Sequence, residues 1–122
     1  MDTVSIRIPA RPAYVQVVRL VAAGLASRLG FTLDEIEDLK IGVDELAGYV
    51  IGTHGREGTL EIRFAVLEDG LEIHGEAHLT AENKIRRELT EFSRVILDSV
   101  ADSAKLQQLD GVPTFDLLKK RT

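Results

Sequence analysis

The sequence predicts a two-layer α/β sandwich: a mixed, largely antiparallel sheet covered on one face by about three helices, in the order βααββαββ. Three observations predict it. Two neighbouring segments carry apolar residues at helical spacing, separated by a glycine and a capping signal. Segments on either side of Asp69-Gly70 alternate apolar and polar residues, as a hairpin with one wet face does, and a second hairpin is read about Asp110-Gly111. Finally, 122 residues that are 44% hydrophobic suffice to bury one core, so residues 1–122 are expected to form a single domain.

The first strand is read at Thr3 to Ile8, with Val4, Ile6 and Ile8 on one side. Pro9-Ala10-Arg11-Pro12 ends it, and Pro12 suits the first turn of a helix over Ala13 to Arg28. Tyr14, Val18, Val21, Ala22, Leu25 and Leu29 form the expected buried stripe, and Gly30 the stop. Thr32 and Glu35 have capping-box spacing. The helix that follows buries Ile36, Leu39, Val43, Leu46 and Val50 and runs to about Ile51. Leu60, Ile62, Phe64 and Val66 mark the second strand, and Leu71, Ile73, Gly75 and Ala77 the third. Thr80 to Arg87 reads as a loop or an early helical turn. Phe92, Val95, Ile96 and Val100 predict the inner face of a third helix. Leu106 to Leu109 and Thr114 to Leu118 make the last hairpin, with Pro113 at an edge or a strand start.

Composition excludes several functions. The chain has no cysteine, so thiolate catalysis, disulfides and cysteine metal sites are absent. A net charge of −5 gives no fold-wide field for nucleic acid, and no direct nucleic-acid binding is expected. The one sharp basic run, Lys119-Lys120-Arg121, reads as a solvated tail. No apolar run approaches the ~20 residues of a membrane span, and Met1-Asp2-Thr3-Val4 does not resemble a secretory signal, so a cytoplasmic location is expected. No P-loop, dinucleotide fingerprint or G-x-S-x-G elbow occurs. His74 and His78 lie four apart on a strand, about 13 Å, too far to share an ion, and both are expected on the wet face. His54 stands in a glycine-flanked loop with no role indicated.

The second helix is the most informative segment. Glu45 shares a face with Ile41, Gly42, Gly48, Tyr49 and Gly52. Each glycine inside a helix costs about 1 kcal/mol relative to alanine, so something is expected to come close there. Either a neighbouring element packs into the gap, or the carboxylate lines a pocket.

Ile8-Pro9-Ala10-Arg11-Pro12, Val18-Arg19 and Ile36-Glu37-Asp38-Leu39-Lys40-Ile41-Gly42-Val43-Asp44-Glu45 resemble the anti-sigma regulatory factors. That family includes the serine kinases that regulate bacterial alternative sigma factors, within the GHKL ATPase superfamily of gyrase and histidine kinases, the Bergerat fold. The likeness extends through Ile96-Leu97-Asp98-Ser99-Val100 to the final hairpin. It implies sigma-factor and STAS-type anti-anti-sigma partners, a homodimer and a role in transcriptional stress responses.

The resemblance also implies a nucleotide site, and three of its parts depart from the family pattern. In E-x-x-x-N the acid is a base and the Asn holds Mg²⁺; here Glu45 matches the acid, and Tyr49 stands at the Asn position. A neutral phenol is a poor ligand for an ion that wants hard, compact oxygens. In D-x-G the Asp reads the adenine; here the motif falls on Ala77, His78 and Leu79. The glycine-rich lid, whose N–H groups hold phosphates, is replaced by Arg86-Arg87-Glu88-Leu89-Thr90. The expectation is therefore an anti-sigma factor with lost or weak ATP binding, with no metal and no cofactor. Glu45 is then vestigial, and Tyr49, Ala77 and Leu79 mark a degenerate cofactor site. An active serine kinase using ATP and Mg²⁺ is the first alternative, and an unrelated α/β interaction module the second.

Overall fold

The structure, a computed structural model, describes residues 2–80 and 88–122. Strand β1 spans Asp2–Pro9; after a 3₁₀ turn at Pro12–Tyr14 come helices α1, Val15–Arg28, and α2, Leu33–Ile51. Strands β2, Gly58–Val66, and β3, Gly70–Leu79, form the first hairpin. Helix α3, Glu91–Val100, leads to β4, Ser103–Leu109, and β5, Val112–Lys120. The five strands lie in the order β1-β2-β3-β5-β4, and every pairing among them is antiparallel. The chain thus crosses by α3 to the far edge at β4 and returns by a hairpin into the place beside β3.

The core lies between this sheet and the helices. Leu60, Ile62, Phe64, Leu71, Ile73, Phe115 and Leu117 come from the strands, and Val18, Ala22, Leu39, Val43, Leu46 and Val50 from α1 and α2. Gly75 is required by this packing. The Phe115 ring crosses it so closely that a Cβ would stand 2.3 Å from Cε2. At Gly42 the backbone of α2 approaches β5, where a Cβ would lie 3.0 Å from Leu117 Cδ2.

The capping box forms as read: the Thr32 hydroxyl accepts from the Glu35 N–H, and the Glu35 carboxylate accepts from the Thr32 N–H. The α2 stripe is buried at Leu39, Val43, Leu46 and Val50, and the helix ends at Ile51. Pro113 is a strand start rather than an edge residue, since β5 is an inner strand.

Four expectations change. The buried stripe of α1 is Val15, Val18, Ala22 and Ala26, and Tyr14 is exposed. Pro12 opens a 3₁₀ turn, whose three residues per turn rotate the side chains out of the 3.6-residue phase. The inner face of α3 is Ser93, Leu97 and Val100, while Phe92 and Val95 are 75% and 64% exposed. There a polar side chain is turned inward by partners on α2, and the apolar count alone misassigns the face. Strand β4 begins at Ser103, three residues before the expected Leu106. Lys119-Lys120-Arg121 is not a free tail. Lys119 and Lys120 belong to β5, Lys119 Nζ lies 3.5 Å from Asp38 Oδ2, and Arg121 donates to the Leu29 carbonyl at 2.7 Å.

Candidate functional site

Helices α2 and α3 meet through a chain of hydrogen bonds rather than through apolar contact alone. Thr90 is the N-cap of α3, its hydroxyl accepting from the Ser93 N–H at 3.1 Å. Its own N–H donates to the Tyr49 hydroxyl at 2.9 Å. Tyr49 donates to Ser93 Oγ at 2.7 Å, and Ser93 donates to Glu45 Oε1 at 2.6 Å. The proton directions follow from the chemistry: a carboxylate only accepts, so the sequence of donors must end at Glu45. Chained bonds of this kind polarise one another; Ser93 is buried, and Glu45, Tyr49 and Thr90 are half-buried. Burial pushes the Tyr49 phenol up, but its bonds with Ser93 and Thr90 outweigh that and leave it below its ordinary value.

The four-residue spacing on α2 explains why Glu45 and Tyr49 act together: residues i and i+4 stand one above the other on a helix face. The facing partners were not legible in the sequence. Ser93 and Thr90 belong to a segment 41 to 48 residues away, and their three-residue spacing signals only a cap.

The other side of α2 is different. Asp44 points to α1, where its Oδ1 meets Arg19 NH1 at 2.6 Å, and Gln16 also accepts from Arg19. Beside this pair lies an open cleft of about 210 Å³, lined by Pro12, Val15, Arg19, Asp44, Gly48, Ile51, Gly52 and Thr53. The two glycines of α2 therefore divide between the two readings. Gly42 accommodates β5, whereas a Cβ at Gly48 would meet nothing within 4 Å and the residue borders the cleft. The carboxylate at the cleft is Asp44, not Glu45.

The expected site residues are only partly gathered. Glu45 and Tyr49 converge on the start of α3. Ala77 sits on β3 with its methyl in the core, paired with Leu60, and Leu79 pairs with Gly58 and packs against the core. Neither offers a polar atom from its side chain. His78 is on the opposite face of β3 and is exposed. Of the lid segment, Arg86 and Arg87 lie outside the described residues; Glu88 is exposed, and Leu89 packs against the core.

The polar atoms of these residues are already engaged with one another. The Tyr49 oxygen is engaged by an N–H and a serine, Glu45 is engaged by that serine, and the Ala77 side chain has no acceptor. Among the described residues no three His, Cys, Asp or Glu side chains converge as metal ligands would.

No family model matches the chain. It is 44% identical over 78 residues to the serine-protein kinase RsbW of Bacillus pumilus, covering 60% of this chain and 48% of the kinase. It is 45% identical over 75 residues to RsbW of Bacillus subtilis, covering 59% and 47%. With RsbW of Bacillus cereus the identity is 33% over 97 residues, covering 78% of this chain and 58% of the other. The chain is a relative of the RsbW serine-protein kinases. It spans about half the length of the curated relatives it matches. The fold agrees over nearly the whole chain: a crystal structure of the RsbU and RsbW domains of a Mycobacterium tuberculosis protein superposes on 99% of it, with a TM-score of 0.71 at 13% identity. The match covers 32% of that longer chain. Among the described residues, no helix is long and apolar enough to cross a membrane.

Proposed function

We propose that this chain is an anti-sigma-type regulatory domain, over residues 1–122, that binds a sigma factor and an anti-anti-sigma protein of the STAS type, and that its ATP binding is weak or lost. The RsbW similarity supports the regulatory role. The observation that carries the loss of nucleotide binding is the chain Thr90–Tyr49–Ser93–Glu45. In this reading Glu45 is a vestigial base, Tyr49 replaces the magnesium ligand, and Ala77 and Leu79 replace the adenine-reading motif. The domain then works by occupying partner surfaces, as a homodimer and in the cytoplasm. Thermal unfolding with millimolar Mg-ATP tests it. A ligand at 100 times its Kd stabilises by about 2.7 kcal/mol, a shift of several degrees. The expected result is no shift, with a sigma factor or STAS-type protein co-purifying with the chain from its host. A clear Mg-dependent shift would overturn the loss of nucleotide binding.

A second reading, an active ATP-dependent serine kinase acting on an anti-anti-sigma factor, is favoured by one observation: the similarity, up to 45% identity over 75 residues, is to proteins named as serine-protein kinases. Transfer of labelled phosphate to such a partner, abolished by Glu45→Gln, would establish it.

A further inference from the structure

The open face of the sheet carries a histidine whose setting differs from that of an ordinary surface residue. His74 was expected to be exposed on this face; it is on the face, but its side chain is only 16% exposed. Nδ1 stands 2.7 Å from Asp116 Oδ1 on β5, and Nε2 stands 3.0 Å from Glu76 Oε1 on its own strand. A neutral imidazole has one N–H donor. Two carboxylates, both of them acceptors, are satisfied together only by the doubly protonated ring.

We propose that His74 is a proton-operated clamp between β3 and β5, closed while its ring carries two N–H groups and loosened when one is lost. The clamp spans the pairing on which the topology depends, because β3 and β5 join the two hairpins. Loss of the proton leaves one carboxylate without its donor and removes the positive charge between Asp116 and Glu76.

The surrounding charges act on both sides. Arg63 on β2 pairs directly with His74 and disfavours its charge. On β5 Asp116 favours it, with Lys105 of β4 paired behind Asp116. On β3 Glu76 favours it and also lies 3.4 Å from His78 Nε2, while Glu72 lies two residues away on the same face. The helices cover the other face of the sheet. Burial alone would lower the affinity of His74 for its proton, but the bonds to Asp116 and Glu76 outweigh burial and raise it above the ordinary value. The sign is then fixed. The clamp's stabilisation is complete below about pH 6.5, the unfolded value, and is lost as pH rises through the higher folded value.

The test is an NMR titration of the histidine rings from about pH 5 to 9, with thermal melts over the same range. His74 is expected to titrate above 6.5 or so, with Asp116→Asn moving it down. The melting temperature is expected to fall as pH passes the folded value, a fall missing in His74→Gln. A wild-type His74 titrating at or below about 6.5, or an equal fall in His74→Gln, overturns the proposal. If His74→Gln does not fold, the wild-type and Asp116→Asn titrations decide. Neither measurement involves nucleotide or partner, so the outcome is independent of the function proposed above.

Discussion

Tyr49 illustrates how one hydroxyl holds two helices. It accepts the Thr90 N–H, one of the orphan donors at the start of α3, and passes the hydrogen bond on to Ser93 and Glu45. Tyr49→Phe keeps the ring and removes both bonds, leaving a partly buried N–H without its acceptor. The expected cost is about 1–3 kcal/mol, measured as a lower urea midpoint at an unchanged m-value. A midpoint equal to wild type would show that water replaces the hydroxyl at no cost. The residue scale is also where legibility was most uneven. Glu45 and Tyr49 were identified from their spacing on one helix, which needs only local geometry. Their partners were not, because a serine and a threonine near a helix start look the same whether they cap, bind or face solvent.

At the scale of the element, helices with a strong internal pattern were read well and amphipathic ones with mixed patterns were not. Helix α2 has a capping box and a continuous stripe, and both are as read except that Ile36, at the start of the stripe, is only partly buried. Helix α3 has apolar residues on two faces, and the larger side chains are on the outer one. Leu97 is 1% exposed and Phe92 75% exposed. Leu97→Ala is therefore expected to cost about 2–5 kcal/mol, whereas Phe92→Ala is expected to stay within about 0.5 kcal/mol of wild type. Equilibrium denaturation of the two variants checks this. Equal losses would mean that Phe92 is covered in solution. Burial of the side holding Ser93 has a stated cause, the bonds to α2, which no count of apolar residues along α3 contains.

At the scale of the whole molecule, the last residues of the chain fasten the helical layer to the sheet. The Thr122 N–H and hydroxyl donate to Glu35 Oε2, each at 3.0 Å, while Arg121 reaches the end of α1. Glu35 thereby serves the cap of α2 and the end of the chain at once. The Thr32 N–H, and after it the Thr122 N–H, lower its carboxyl to about 2. A carboxyl depressed in the folded state contributes stability above its unfolded value, about 4.3, and loses that contribution as pH falls through the folded one. The acid limb of a stability-versus-pH curve should thus extend from about pH 4 toward 2, and Glu35→Gln should shorten it. An unchanged acid limb in Glu35→Gln would remove Glu35 as a cause. Glu35 thus acts on the acid side of that curve, and the proposed His74 clamp on the alkaline side.

The order of elements, the hairpins, the cap of α2 and the two-layer architecture were determined by the sequence alone, because each depends on the period of apolar residues or on a local turn. The likeness to the anti-sigma serine kinases was equally plain there. Only the tertiary structure decided which face of α3 turns inward, that Glu45 meets Ser93 while Asp44 meets Arg19, that the basic end of the chain is docked, and that His74 is held between two carboxylates. Each of these depends on side chains brought together across tens of residues. Such contacts are set by the strand order β1-β2-β3-β5-β4 and the helix positions over it, which no local pattern encodes.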